Sequence, residues 1–507
     1  MITHGRTTIY ANIREKDLLE ADFPSKIKLI TKVLQDSIDI HNQNSSESEY
    51  LIKYLYGEQD IKDKIKLTRT DINNKGVENW AWAFQDQKKS MLVGKPITYA
   101  PFDNTANKEI TELNRYILSK DKESLDQDMY EDIFTVGRGY RYCWTNLEKE
   151  QESPFDLLNL DVTKTEVVYS SSIKHEQILA YVVTPKMYLK KTQNEQTNEL
   201  IEEQVNYNEY TVYCRDYFYT FEDKNGKIQY IKDSAIPNVY KKHVVYEYFL
   251  NRYRVSLLEI GKDIFNDINY IESLDKDDIE SFVNSIMVFT NAKVDKEKMD
   301  AIKEYGAISI KSTNDKKASV ELLQSRLKSA DTQTYYLRKL LSLHAILGVP
   351  QSQGNAESRA ETGQATMVEQ GFTSANLRTE NEEKAFKKGD RQVLDMMLTI
   401  CRESPKSLIK KLTSNEIDIK FSRDLSDSIM TKTQALQNLY NVKIPPAVAN
   451  AVINLFSDPV AVTKMQEEYI KELDEKEKEK EEMQYNKKLE LSNKDKDISV
   501  EEELINE

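Results

Sequence analysis

The chain has 507 residues, of which 39% are apolar, and a formal net charge of -14 at pH 7. This length fits about three domains of roughly 150 residues each, and the apolar content is sufficient for packed cores. A simple basic surface that clings to DNA is disfavoured, because affinity for phosphate comes from neutralising it with Lys and Arg.

Residue patterns for catalysis do not occur in the sequence. The three cysteines and five histidines are scattered, without CxxC, HExxH or zinc spacing, so we expect buried thiols in a reducing compartment and no metal site. A Gly-Lys pair at 94–95 resembles the end of a phosphate-binding loop, but Lys89 stands where that motif needs Gly and Pro96 where it needs Ser or Thr. We therefore predict no catalytic residue and no cofactor. No apolar run approaches the roughly 20 residues that span a bilayer, which predicts a soluble, intracellular protein with no membrane partner.

The first half of the chain is predicted to form an α+β body. Residues 1–130 are typical of helices, interrupted by the polar connection HNQNSSESE from His41 to Glu49. Between 138 and 250, the segments YRYCW, TEVVYS, ILAYVV, YTVYCRDYFYTF and HVVYEYF are rich in β-branched and aromatic residues, which predicts strands. The Asn-Gly pair at 225–226 indicates a hairpin, because both residues tolerate the positive φ of a type I′ turn.

A long amphipathic helix, or a kinked pair of helices, is predicted at 254–287. Apolar residues recur there mostly at three or four positions from Leu257 to Ile286, the spacing of one helix face. Some 32 residues at 1.5 Å each would reach about 48 Å. The other face is acidic, and in an arbitrary protein such a face is solvated. Its carboxylates are Glu259, Asp263, Asp267, Glu272, Asp275, Asp277, Asp278 and Glu280.

The second half continues with helices around two irregular segments. We predict a small α/β insert at 288–319, with a helix closed by Gly306 and a strand at AISIKS, and then a second long helix from about Val320 to Gly348. The polar segment QSQGNAESRAETG, 351–363, has no apolar anchor, so we expect it to face water or a ligand. Another long helix is predicted over 360–401, with bend points at Gly363 and Gly371.

The last hundred residues are predicted to be a smaller region with a charged end. Beyond Pro405 we expect a strand at EIDIKF and two short helices at TKTQALQNLYN and PAVANAVINLF. From Glu467 to Glu507 the chain has 16 acidic and 8 basic residues. The stretch KELDEKEKEKEE predicts a helix extended by i, i+4 Glu-Lys pairs, and the remainder a solvated, partly disordered tail.

This order of elements, together with several short motifs, resembles the portal proteins of tailed bacteriophages, the head-to-tail connectors of long-tailed phages in particular. YLYGEQDI at 54–61 is similar to the family's Y-x-G-x-Q-x-I opening. The Asn-Asn pair at 73–74, then Trp80 and then VGKPITY, is similar to its early helix running into a G-x-P-I strand. VGKPITY is therefore predicted to be a structural strand of the wing domain.

Three further motifs carry the resemblance. GRGYRY at 137–142 matches the G-x-A-Y strand start, with Gly139 in place of Ala, and TGQA at 362–365 matches S-G-x-A, with Thr in place of Ser. The most specific match is LLEIGKDIFNDINYIESLDKDDIESFVNSIMVF, which resembles the family's stem helix. The segment before the stem fits loosely, and the region after Pro405 matches in layout more than in residues.

The resemblance implies the portal fold, an α+β and mostly helical architecture with wing, stem, clip and crown. The implied divisions are a wing at 1–253, stem helices at 254–287 and 320–348, a clip at 288–319, a tunnel loop at 349–362, a kinked wing helix at 363–403, a crown at 404–466 and a charged tail at 467–507. It also implies a cyclic dodecamer at the unique capsid vertex of the virion, assembled in the host cytoplasm, through which double-stranded DNA is packaged and ejected without sequence specificity. The implied protein partners are the large terminase, which supplies the packaging energy, a head-completion adaptor, and the major capsid and scaffolding proteins.

Three groups of residues become candidates under this resemblance. Lumen-facing carboxylates of the acidic helix would repel phosphates and let DNA slide; they are Glu272, Asp275, Asp278 and Glu280. Polar residues of the tunnel loop would contact backbone phosphates without reading bases; they are Gln351, Gln353, Asn355 and Arg359. Clip lysines would dock terminase and adaptors; they are Lys293, Lys296, Lys303 and Lys311.

Two interpretations from other classes remain open at this point. A scaffold protein without a ring would use the same long helices to bind other proteins. A nucleic-acid-dependent ATPase would turn over ATP as an isolated chain, and the incomplete phosphate-binding motif disfavours it.

Overall fold

The structure is a computed structural model, and it describes residues 5–67, 70–102, 107–146, 152–193, 200–224, 226–283, 286–290, 319–323, 329–351, 371–422, 429–442, 444–453, 462–473, 475–480 and 483. The chain divides into two compact units. Unit 1 comprises residues 1–95 and 119–406, and unit 2 comprises residues 96–118 and 407–507.

Helices and strands alternate along the chain as an α+β protein. The helices are α1 (Glu15–Glu20), α2 (Phe23–Leu55), α3 (Trp80–Val93), α4 (Lys108–Leu118), α5 (Lys122–Val136), α6 (Leu257–Val283), α7 (Ser329–Leu347), α8 (Phe372–Glu403), α9 (Ile429–Asn441) and α10 (Pro446–Ile453). The strands are β1 (Ile9–Ala11), β2 (Thr98–Pro101), β3 (Gly139–Thr145), β4 (Phe155–Leu160), β5 (Thr165–Ser170), β6 (Gln177–Gln193), β7 (Leu200–Cys214), β8 (Tyr217–Lys224), β9 (Lys227–Tyr230), β10 (Ile236–Pro237), β11 (Val245–Tyr248), β12 (Ile286–Thr290), β13 (Ser319–Leu323) and β14 (Ile417–Lys420).

The larger sheet of unit 1 has the strand order β1-β5-β6-β7-β8-β10, with β9 paired to β8. Strand β1 runs parallel to β5, and the other pairs are antiparallel. Helix α2 covers one face, where Ile30 and Leu34 join Val168 and Leu179 in the core. The predicted strand region is therefore confirmed. The predicted hairpin is confirmed as well, because β8 and β9 pair directly on either side of 225–226 and Gly226 has φ +74°.

The polar connection expected from His41 to Glu49 is wrong, because this segment lies inside α2. The buried side of this helical segment carries small polar side chains that are hydrogen-bonded. The Asn44 amide accepts from Thr7 N–H at 3.0 Å and donates to the Thr7 carbonyl at 2.9 Å, and the Ser48 hydroxyl donates to the Asn44 carbonyl at 2.6 Å. A polar sequence is thus helical here because its buried polar groups are satisfied, Asn44 by the distant Thr7 and Ser48 by the preceding turn of the helix.

A smaller three-stranded sheet, in the order β11-β3-β4, lies in unit 1 beside α8. The Tyr248 ring of β11 meets Phe386 edge to face, with ring centroids 5.0 Å apart. A Cβ on Gly389 of α8 would lie 2.8 Å from the same tyrosine ring, so the absence of a side chain allows this close packing. The predicted long helix before residue 401 is confirmed from Phe372 onward, and Gly371 precedes it with φ +75°.

The long acidic helix is confirmed as α6, but it ends at Val283, and Ile286 begins β12. The second long helix begins at Ser329, so its predicted start at Val320 is wrong. Val320 lies in β13, where it pairs with Phe289 of β12. Short apolar runs with β-branched residues fit a strand or a buried helix equally well, and the paired strand decides here. The helix and strand predicted within the insert lie outside the described residues.

Unit 2 contains the pair formed by β2 and β14, in which Tyr99 lies opposite Ile419 and both side chains are buried. The strand predicted at EIDIKF is confirmed as β14. The strand predicted at VGKPITY is confirmed only from Thr98 onward, because Val93 is the last residue of α3, and β2 belongs to unit 2. The two predicted short helices are confirmed as α9 and α10. Residues 475–480 of KELDEKEKEKEE are helical, and Lys476 pairs with Glu472 at 2.8 Å.

Candidate channel helix

Helix α6 is anchored at its first turn by a buried charge. Ser256 and Glu259 each donate a backbone N–H to the other's side chain, at 2.9 Å in both cases, which is a capping box. The Glu259 carboxylate also accepts from Gly5 N–H at 3.1 Å and pairs with Arg6. The solvated face expected for the acidic residues is therefore wrong for Glu259, which is buried.

Helices α6 and α7 pack against each other along their apolar faces. Gly261 allows close approach, because a Cβ there would lie 3.3 Å from the Leu343 side chain. Phe265 of α6 and Leu343 are both buried. At the edge of this contact, Lys339 of α7 pairs with Asp267 of α6 at 2.6 Å. These contacts hold the two long helices as one element.

Asp277 of α6 is a second carboxylate whose buried hydrogen bonds and ion pairs were not predicted from the sequence. It accepts from the Asn74 backbone N–H at 2.6 Å and from the Asn74 amide at 3.0 Å, and it pairs with Lys64 at 3.0 Å and Lys66 at 3.1 Å. Its side chain is only 2% exposed. Burial alone would raise the pKa of Asp277, but the hydrogen bonds from Asn74, Lys64 and Lys66 outweigh burial and lower it to about 2.

The expectation that the acidic residues of α6 are solvated is therefore wrong for Asp277 as well as for Glu259. The available signal was the spacing of polar residues on α6, because Asn269, Ser273 and Asp277 recur every four positions and so lie on one side of the helix.

Two of the four carboxylates predicted to face a lumen have partners in the structure. Glu272 pairs with Lys276 one turn further along α6, at 3.2 Å, and remains partly exposed. Glu280 is exposed and accepts from the Asn74 amide at 2.9 Å. The charge of Glu272 is therefore partly compensated by Lys276, whereas Glu280 has a hydrogen-bond donor but keeps its full charge.

The other two, Asp275 and Asp278, form no ion pair within the part of the chain that the structure describes. Burial together with the charges of Glu272 and Asp278 raises the pKa of Asp275. Burial also raises the pKa of Asp278, where the opposing effect of Lys66 is smaller. These groups form a patch of mutually repelling carboxylates, and their orientation toward a lumen stays a prediction.

The segment predicted as the tunnel loop is described only at its start. Gln351 is partly buried, whereas Gln353, Asn355 and Arg359 lie outside the described residues, as do Lys293, Lys296, Lys303 and Lys311 of the insert. Helix α7 ends at Leu347, and Gly348 follows it with φ +68°, as its sequence position predicts. Arg378 of α8 donates to the Ile346 carbonyl at 2.5 Å and so caps the last turn of α7.

Helix α8 is tied into the body of unit 1 by buried ion pairs for which the sequence carries no signal. Lys122 of α5 lies 2.7 Å from Asp126 and 2.9 Å from Asp390 of α8. Lys88 of α3, fully buried, pairs with Glu382 of α8 at 2.5 Å. Lys122 and Asp126 are one turn apart on α5, but Asp390 and Glu382 come from a helix far away in sequence, and only the fold brings them to the two lysines.

Comparison with known families decides the identity of the chain. A family described as phage portal protein, SPP1 Gp6-like, matches residues 34–486. The chain belongs to this family. A comparison with curated proteins finds no match. The family resemblance inferred from the sequence is therefore confirmed, and the match includes α6, α7 and α8.

Family membership makes this chain a phage portal protein of a structural, generally non-enzymatic family and a component of the virion capsid. Within the described residues, no three His, Cys, Asp or Glu side chains are grouped so as to hold a metal ion. None of the helices in those residues combines the length and apolar character needed to cross a bilayer. The three cysteines are free and buried, as predicted.

Proposed function

We propose that twelve copies of this chain form a ring at one capsid vertex, with α6 and α7 lining a channel through which double-stranded DNA is packaged and later ejected. The observation that carries the proposal is the portal-family match over 34–486, which includes the long acidic helix α6. Wing, stem, clip and crown would then correspond to the divisions drawn from the sequence.

A channel wall with uncompensated carboxylates suits a polyanion that must move. Asp275 and Asp278 keep their charge free of ion pairs within the described residues. Repeated around a ring, they would repel phosphates over a Debye length of about 8 Å. A wall of Lys and Arg would instead gain affinity through counterion release and hold the DNA in place.

A ring also needs a surface that fits a second, different surface on the next copy. Helix α7 offers apolar side chains for such a contact, since Leu337, Leu341 and Ile346 are 46%, 48% and 41% exposed. Burying these side chains between copies would remove apolar area from water and favour closure of the ring.

The remaining roles follow from the proposed ring. The clip at 288–319 would dock the large terminase during packaging and a head-completion adaptor afterwards, through Lys293, Lys296, Lys303 and Lys311. The tunnel loop at 349–362 would contact phosphates as DNA passes. The major capsid and scaffolding proteins would surround the wing, and the terminase would supply the energy.

Negative-stain electron microscopy of the purified full-length protein tests the proposal. We expect annular particles with an axial opening and cyclic symmetry. Rods, monomers or closed particles without an opening would contradict it and favour the non-annular scaffold. ATP turnover by the isolated chain would contradict the assignment of packaging energy to a separate terminase.

A further inference from the structure

Residues 74–78 of unit 1, which belong to no helix or strand, bind along one side of α6 in a regular pattern. The backbone N–H groups of Asn74, Gly76 and Glu78 point to α6 in turn. Asn74 N–H donates to the Asp277 carboxylate at 2.6 Å, and Gly76 N–H to the Ser273 hydroxyl at 3.1 Å. Glu78 N–H donates to the Asn269 side-chain oxygen at 2.8 Å.

The spacing of the two partners explains the regularity. Two residues of extended chain advance about 6.6 Å, and four residues of helix advance about 6 Å. Alternate N–H groups of the segment therefore match every fourth residue of the helix, with the two chains running in opposite directions. Three successive hydrogen bonds require both this backbone spacing and an acceptor side chain at each of the three helix positions. A chance contact would not meet both conditions three times.

Both ends of the segment are held by further bonds. Before it, Lys66 donates to the Ile72 carbonyl at 2.9 Å and pairs with Asp277. At its end, Tyr336 of α7 donates to the Glu78 carboxylate at 2.8 Å. The segment is therefore fixed to α6 along its length.

We propose that residues 74–78 are a strap that sets the rotation of α6 about its own axis. A turn of the helix by one residue, about 100°, would carry Asn269, Ser273 and Asp277 away from the strap together. These three are positioning residues. The strap also binds Asp277 and Glu280, whereas Asp275 is partly exposed and forms no ion pair within the described residues, so it would be the carboxylate presented to a channel. This last step rests on the proposed ring, whereas the strap itself does not.

Hydrogen–deuterium exchange on the full-length protein tests the strap. In Asp277→Ala we expect exchange of the Asn74 amide to rise by roughly tenfold or more, the factor expected from losing a hydrogen bond to a charged group. Exchange at Gly76 and Glu78 should rise less, because their own acceptors on Ser273 and Asn269 remain. Ser273→Ala removes one bond only, so it should raise exchange at Gly76 most, and it serves if Asp277→Ala fails to fold. Asp263→Ala is the matched control, because Asp263 is exposed on α6 and forms no ion pair within the described residues; it should change none of the three.

Thiol labelling tests the rotation. The three native cysteines are buried, so in an Asp275→Cys variant the labelling rate measures the accessibility of the new thiol at position 275. We expect its labelling rate to change several-fold when Asp277→Ala or Ser273→Ala is added and to stay constant with Asp263→Ala. Unchanged exchange at 74–78 would overturn the strap, and raised exchange with unchanged labelling would overturn its control of rotation. Neither readout needs an annular assembly, so a missing ring would refute the proposed function and leave the strap standing.

Discussion

Two carboxylates of unit 1, Glu166 in its core and Asp275 on α6, occupy opposite electrostatic environments. Glu166 is 1% exposed and holds Arg138 through two hydrogen bonds of 2.7 Å. Asp275 is partly exposed, and the charges of Glu272 and Asp278 add to the burial that raises its pKa. An acidic residue therefore stabilises the fold where cations meet it, and it remains available to a partner where they do not.

Breaking the buried pair should give the largest effect. Glu166→Ala would leave Arg138 charged and buried, so we expect a loss of about 3–5 kcal/mol in the free energy of unfolding. All three tryptophans, Trp80, Trp82 and Trp144, lie in unit 1, so their fluorescence in a denaturant titration reports on this unit.

A double variant controls for the lost volume. Replacing both partners, Glu166→Leu with Arg138→Met, removes the uncompensated charge and should restore much of the stability. If Glu166→Ala costs no more than an exposed substitution, the buried pair does not stabilise unit 1 and the comparison fails.

Asp277 should give an intermediate effect that depends on pH. Asp277→Asn loses the ion pairs with Lys64 and Lys66 and weakens the bonds from Asn74, so we expect a cost of about 2 kcal/mol at pH 7. The pKa of Asp277 is lowered from 3.8 to about 2 in the folded protein. Its contribution is therefore complete above pH 4 and is lost as pH falls toward 2.

The same tryptophan signal, recorded at pH 7, 4 and 2.5, measures this dependence. The stability difference between the wild type and Asp277→Asn should be constant from pH 7 to 4 and smaller at pH 2.5. A difference that grows as the pH falls would contradict the assignment of these bonds to the ionised carboxylate.

Local patterns in the sequence predicted those parts of the fold that local patterns determine. The β-branched and aromatic segments from YRYCW to HVVYEYF form the sheets, because their side chains pack on a pleated surface. The residues with apolar spacing from Leu257 onward form α6, and Gly348, with a positive φ, directly follows the last residue of α7. Each of these features depends on residues a few positions apart.

Features that depend on distant partners could not be predicted in this way. Asn44 is accommodated on the buried side of α2 because its amide exchanges two hydrogen bonds with the backbone of Thr7, 37 residues earlier. Asp277 accepts hydrogen bonds from Asn74, which is 203 residues earlier in the chain, so no local pattern could reveal these bonds. Sequence spacing placed the carboxylates on α6, but the fold decides which of them meet a cation.

The smallest effect is expected at Asp275, and it has the opposite sign. Because burial and the charges of Glu272 and Asp278 raise its pKa, the ionised carboxylate opposes folding, and this cost disappears as pH falls. Asp275→Asn should therefore leave the free energy of unfolding at pH 7 unchanged or raise it by up to about 0.5 kcal/mol, the size of a like-charge helix pair. A loss above about 1 kcal/mol in the tryptophan-monitored titration would mean that Asp275 has a stabilising partner. The distinction between bonded and available carboxylates on α6 would then no longer hold at the residue that illustrates it best.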